Sequence, residues 1–145
     1  MANHKILLVE DNPDDVELAL HACQSNRIDA DIIVARDGEE ALEYLFCTGR
    51  HAGRTCKDIP SVMVLDLKLP GIGGLEVLRS LRQHPETRRI PVVILTSSED
   101  EAHVVGGYEL GVNSYIRKPA EFAAFTQIMS QLQRYWLVTN TAPPV

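Results

Sequence analysis

The sequence predicts an α/β fold, a parallel sheet with helices packed on both faces. Three observations carry this expectation. Short apolar runs alternate five times with segments of helical period. The runs are continuous rather than alternating, as in strands buried on both faces. A length of 145 residues fits one domain with a full core.

KILLV (residues 5–9) is the first strand. Asn12 before Pro13, with Asp14 and Asp15 next, starts a helix: an N-cap, a proline at the first helical position and acids at the positive helix end agree. Val16, Ala19, Leu20 and Cys23 give it an apolar face. DIIVA (31–35) is the second strand, and Asp37-Gly38 opens a helix with Leu42, Leu45 and Phe46 on one side. CTGRHAGRTCKDIP has no apolar period and two glycines, so it reads as a long exposed loop. SVMVL (61–65) is the third strand; after PGIGG, Leu75, Leu78 and Leu81 continue as a helix. PVVIL (91–95) is the fourth, followed by a helix from Glu99 to Leu110. Gly106-Gly107 inside it costs about 1 kcal/mol per glycine against alanine and marks it as a candidate for mobility. NSYIR (113–117) is the fifth strand. The last helix carries Phe122, Phe125, Ile128, Met129, Leu132 and Trp136 on one stripe. The expected domain spans residues 3–138; residues 139–145 read as a frayed tail with no appended output module. Right-handed crossovers leave few topologies for five βα units, and the natural one is a flavodoxin-like, doubly wound sheet of order 2-1-3-4-5.

Composition narrows the function. Twenty acidic against fourteen basic residues give a net charge of −6, which opposes binding to nucleic acid or anionic lipid. No apolar run approaches the roughly 20 residues that span a bilayer, and the N-terminal segment is no signal peptide. Three cysteines do not make a closed disulfide framework. Cys23 reads as a core thiol, and Cys47, His51 and Cys56 match no standard zinc spacing. Reduced thiols in a cytoplasmic protein are the expectation.

Ligands of such sheets sit beyond the carboxyl ends of the strands, where the strand order reverses. Those ends carry Glu10 and Asp11, Asp66, Thr96 and Lys118. Three carboxylates at one place repel one another and need a cation, and oxygen ligands suit a hard divalent ion, Mg²⁺ above all. Lys118 adds a point charge for an anionic oxygen and Thr96 a hydroxyl. These are the parts of a phosphoryl-transfer site, with Asp66 as the nucleophile that would become an acyl phosphate. A lone Asp66 would be better read as a turn cap; its convergence with the other four residues favours a site. Thr96 and Ser97 equally suit capping of the fourth helix, and Tyr115 by itself reads as a packed aromatic.

LLVEDNPDD, VLDLKLPG, ILTSSED and SYIRKPA, in register across nearly the whole chain, resemble the motifs of response-regulator receiver domains of two-component signalling. The resemblance implies a phosphoacceptor at Asp66 and a direct Mg²⁺ ligand at Asp11. It implies that Glu10 holds the metal mainly through water, and that the main-chain carbonyl of Lys68 is another ligand. Thr96 is then the switch hydroxyl, Tyr115 the aromatic that turns inward with it, and Lys118 the contact to a phosphoryl oxygen. Lys68 and Ser98 match positions that tune loss of the acyl phosphate, and the Lys118–Pro119 bond is expected to be cis. Gly73 departs from the family, which often has aspartate there, and the glycine pair of the fourth helix is also unusual. The long loop and the ending QRYWLV look like single-domain regulators paired with bacterial phytochromes. That likeness implies a sensor histidine kinase of the phytochrome type as partner, and a homodimer through the fourth helix, fifth strand and last helix. The resulting expectation is a protein-interaction module that catalyses only its own phosphorylation and dephosphorylation.

Other readings fit less well. A haloacid-dehalogenase phosphatase wants a second aspartate two residues after the nucleophile, where this chain has Lys68. A flavodoxin would cradle a phosphate in its first loop, which EDNPDD would repel. A degenerate receiver that binds partners without phosphate would not need Glu10, Asp11, Asp66, Thr96 and Lys118 together.

Overall fold

The structure, a computed structural model, describes residues 4–55 and 58–144. Five strands, β1 (His4–Val9), β2 (Ala30–Ala35), β3 (Val62–Leu65), β4 (Val92–Thr96) and β5 (Ser114–Arg117), alternate with five helices. These are α1 (Pro13–Gln24), α2 (Gly38–Phe46), α3 (Gly74–Arg82), α4 (Glu101–Glu109) and α5 (Phe122–Arg134). All neighbouring strands are parallel, in the order β2-β1-β3-β4-β5.

Successive residues of each strand enter opposite layers, because strand side chains alternate between faces. Leu7, Val9, Met63, Leu65, Val92 and Ile94 pack with α2 and α3 through Tyr44, Leu45, Val77 and Leu81. Ile6, Leu8, Val62, Val64, Val93 and Leu95 pack with α1 and α5 through Ala19, Cys23, Phe125 and Met129. The buried Gln133 of α5 accepts a hydrogen bond of 2.8 Å from Asn26, which also accepts one of 2.6 Å from Ser130. Polar groups thus bind the α1 and α5 ends together without an orphaned amide.

Asn12 caps α1 through Asp14 N and Asp15 N, with Pro13 in the first turn, as its sequence predicts. The glycine pair of α4 has a packing reason. A Cβ on Gly107 would lie 2.9 Å from Ile94 Cδ1, and one on Gly106 3.3 Å from Leu75 Cδ1. Small residues there let α4 approach the sheet and α3 closely.

Several expectations are corrected. Asp100, not Thr96 or Ser97, caps α4: its side chain accepts from Ala102 N. Phe122 sits at the open start of α5 and is 62% exposed, so it leaves the core stripe. A π-helical turn at Tyr135–Thr139 extends α5, burying Leu137 and leaving Tyr135 half exposed. The loop after α2 contains a 3-10 turn at Gly49–His51, tied down by Arg50 Nε to Glu43 Oε1 at 2.7 Å. Cys47 is disulfide-bonded, against the expectation of reduced thiols, because sequence spacing says nothing of the distance between sulfurs. Cys56 lies outside the described residues. Cys23 is a buried free thiol, its pKa pushed up to about 11 by burial. The described residues contain no cis peptide bond, so Lys118–Pro119 is trans. The two forms of such a bond differ by only about 0.5–1 kcal/mol, and the local motif therefore does not decide between them.

Candidate functional site

The sheet register aligns the strand ends. Val9 lies beside Ala35 and Leu65, Leu65 beside Ile94, and Thr96 beside Arg117. One residue further on, Glu10 and Asp66 leave neighbouring central strands side by side, with Asp66 N donating to Val9 O at 3.1 Å. Lys118 follows β5 and its N donates to Thr96 O at 2.8 Å, which turns its side chain back across the sheet end. The result is an open cleft of about 540 Å³ lined by Glu10, Asp11, Asp15, Asp66, Lys68 and Lys118, among others.

Glu10 and Asp66 are buried and Asp11 is exposed. Glu10 Oε2 accepts from Asn12 N at 3.1 Å, and Asp66 Oδ1 from Lys68 N at 3.2 Å. Lys118 Nζ gathers the remaining oxygens: it donates to Glu10 Oε1, to Asp15 Oδ2 at 2.9 Å and to Asp66 Oδ2 at 3.0 Å. Burial works against the charge of Lys118, but the hydrogen bonds to Glu10 and Asp15 and the charge of Asp66 outweigh it and raise its pKa. Burial, reinforced by the negative Asp66, pushes the Glu10 carboxyl up to about 7, although Lys118 pulls the other way. Lys118 and the exposed Lys68 are thus set against four carboxylates, Glu10, Asp11, Asp15 and Asp66, a surplus of acidic groups in a partly buried cleft.

Such a surplus suits a cation. Carboxylate oxygens of Glu10, Asp11 and Asp66 all lie within 4.8 Å of one another. An all-oxygen set suits hard divalent ions such as Mg²⁺ and Mn²⁺ rather than softer metals. The residues present fit a divalent metal.

The structure therefore brings together Glu10, Asp11, Asp66, Lys68 and Lys118. Thr96 is buried, and its Oγ1 accepts from Ser98 N at 3.3 Å; among the described residues that hydroxyl makes no hydrogen bond to the side chain of Asp66 or Lys118. The Tyr115 hydroxyl is shielded from solvent and, among the described residues, has no partner at full hydrogen-bond geometry; burial raises its pKa, and the Ser98 hydroxyl beside it partly opposes that. Asp15 was missed as a site residue. Its signal was the run of acids at the start of α1, which explains itself as helix-end electrostatics and so conceals a second role. Also missed was His103, whose Nδ1 lies 2.7 Å from Ser98 Oγ. Nothing in a sequence spacing of five marks that pair.

The Cys47–His51–Cys56 metal reading finds no support: Cys47 is engaged in a disulfide, and His51 Nε2 sits 3.2 Å from Glu40 Oε2. No helix among the described residues is long and apolar enough to cross a membrane.

Comparison with known proteins places these features in context. The profile of the response regulator receiver domain matches residues 6–130. Response regulator Rcp1 of Synechocystis sp. is 37% identical over 95% of this chain and 92% of its own length. Its Mn²⁺-bound crystal structure superposes with a TM-score of 0.90 over 97% of this chain and 99% of that one, at 36% identity. The phosphorylated cyanobacterial phytochrome response regulator RcpA superposes with a TM-score of 0.92 at 38% identity, over 99% of this chain and all of that one. The bacteriophytochrome response regulator AtBRR is 47% identical over 96% of this chain and 99% of its own, with a TM-score of 0.74.

Proposed function

The chain belongs to the response regulator receiver family, a phosphorylation-dependent signalling module, and from that premise we propose that Asp66 is its phosphoacceptor. The observation that carries this reading is the Lys118 ammonium, which spans Glu10 and Asp66 beside a carboxylate cluster fit for a metal.

In the proposed reaction, Asp66 Oδ attacks the phosphorus of a phosphohistidine on a sensor kinase. The new O–P bond forms as the P–N bond breaks, and the imidazole nitrogen recovers its electron pair. The backbone N–H of Lys68 holds Asp66 Oδ1, leaving Oδ2, now on Lys118, as the attacking oxygen. Lys118 then transfers its contact to a phosphoryl oxygen. Glu10, Asp11, Asp66 and the main-chain carbonyl of Lys68 would hold Mg²⁺, which when bound supplies charge neutralisation to the phosphoryl oxygens. Thr96 Oγ1 exchanges its weak contact from Ser98 N for the phosphoryl group, and the Tyr115 phenol, already shielded from solvent, shifts with it. Hydrolysis reverses the modification: water attacks phosphorus, the O–P bond to Asp66 breaks, and phosphate and a proton leave. The domain turns over no other substrate in this reading.

RcpA is a cyanobacterial phytochrome response regulator and AtBRR a bacteriophytochrome response regulator, which supports a phytochrome-type histidine kinase as donor; a cytoplasmic location goes with that reading. Output would pass through the face of α4, β5 and α5, where Val105 and Tyr108 of α4 are more than half exposed and the half-exposed Tyr135 lines a hollow of about 480 Å³ between β5 and the end of α5. A second copy of the chain is the proposed occupant.

The test combines acetyl phosphate and Mg²⁺ with the protein and with Asp66→Ala, following mass and elution volume together. A Mg²⁺-dependent gain of one phosphoryl group, absent in Asp66→Ala, is expected, with elution at the volume of a dimer. No gain from acetyl phosphate or from histidine kinases would overturn the phosphoacceptor reading and favour a phosphate-independent binding module.

A further inference from the structure

Ser98 is 3% exposed, too buried to meet a substrate, yet its hydroxyl is the most connected side chain of the β4–α4 turn. Its backbone N–H donates to Thr96 Oγ1, and its Oγ accepts from Asp100 N at 3.3 Å and lies 2.7 Å from His103 Nδ1. Asp100 is the cap of α4 and His103 sits in its first turn. The Asp100 carboxylate, 3.9 Å from Nε2, favours the imidazole tautomer with its proton on Nε2. Nδ1 is then an acceptor, and the Ser98 hydroxyl donates to it.

We infer that His103 is a positioning residue for the phosphoryl-acceptor site, acting through the Ser98 hydroxyl. It ties the turn that carries Thr96 and Ser97 to the first turn of α4 and so holds that wall of the cleft in place. Ser97 lines the acceptor cleft, so slack at Ser98 is slack in that wall. His103 itself is about one-third exposed on the helix surface, so a substitution there leaves the core packing intact. This inference rests on Asp66 being the phosphoacceptor.

The test measures the half-life of the phosphorylated protein after removal of acetyl phosphate, for the unaltered chain, His103→Leu, His103→Asn, Ser98→Ala and the Ser98→Ala/His103→Leu pair. Asparagine can place its amide oxygen where Nδ1 stands, whereas leucine cannot accept the hydrogen bond. His103→Leu is expected to shorten the half-life at least threefold, and His103→Asn to restore most of it. In the Ser98→Ala background His103→Leu should then change little, because the hydroxyl through which it acts is gone. An unchanged half-life in His103→Leu would overturn the inference. So would equal losses in His103→Asn and His103→Leu, or a His103→Leu effect that persists in full without the Ser98 hydroxyl. Should His103→Leu fail to fold, Ser98→Ala still decides: retention of the native half-life without the hydroxyl would overturn the inference. Absence of any phosphoryl gain in the unaltered chain would instead overturn the phosphoacceptor reading, and this inference with it.

Discussion

Glu10 is buried with its carboxyl titrating near 7, well above the ordinary range, chiefly because burial disfavours its charge. A carboxyl whose pKa is higher in the folded than in the unfolded chain binds more protons when folded between those two values. Metal-free stability should therefore fall as pH rises from about 4.5 to about 7, and stay low above that window. Glu10→Gln removes the charge with nearly the same shape. At pH 8 in a chelator it should be more stable than the unaltered chain by about 1–2 kcal/mol, less than the full shift because Lys118 loses a partner. Near pH 4 that gain should vanish. Urea denaturation across pH checks this, and an equal effect of Glu10→Gln at pH 4 and pH 8 would contradict it. A divalent ion should reverse the order at pH 8, since Glu10 then has a cation to face.

At the scale of elements, α3 and α4 carry the two departures from the family pattern, and they have different physical status. Gly73 is the N-cap of α3 and offers no side chain to the helix end; a Cβ there would meet only Leu67 O, at 3.7 Å. Gly73→Asp should stabilise the domain by about 0.3–1 kcal/mol through capping and a less free unfolded chain, read as a raised Tm. The glycines of α4 instead permit close approach. Gly107 is buried against Ile94, so Gly107→Ala should cost about 1 kcal/mol despite better helix propensity. Gly106 meets only the flexible tip of Leu75, and Gly106→Ala should be neutral or stabilising by up to about 0.5 kcal/mol. Like signs for the two substitutions in thermal unfolding would contradict this account. The pair, read from propensity alone as a source of mobility, is divided by tertiary contacts into one required and one tolerated glycine.

Across the whole molecule, Arg82 fastens parts that the chain order keeps apart. From the end of α3 it donates to Leu110 O at 3.2 Å and Gly111 O at 2.8 Å beyond α4, and to Arg88 O and Ile90 O, both at 2.8 Å, before β4. Burial lowers its pKa, and backbone carbonyls rather than a carboxylate satisfy it. Arg82→Ala would leave several of these carbonyls without a donor and should cost about 2–4 kcal/mol, measurable by urea denaturation, with Arg82→Lys recovering only part because a point charge cannot span them. A loss below 0.5 kcal/mol would show that solvent replaces the guanidinium. The five βα units, the parallel order and the cluster of Glu10, Asp11 and Asp66 were legible in the chain alone. Each of those is written in local runs, in the periodicity that separates strand from helix, and in the rule that strand ends share one edge of the sheet. Only the packing of the folded chain shows that Asp15 joins Lys118, that His103 reaches Ser98 and that Arg82 spans two turns. The physical reason is distance: these outcomes depend on side chains from separate elements meeting within about 3 Å, and no spacing along the chain encodes a meeting that packing creates.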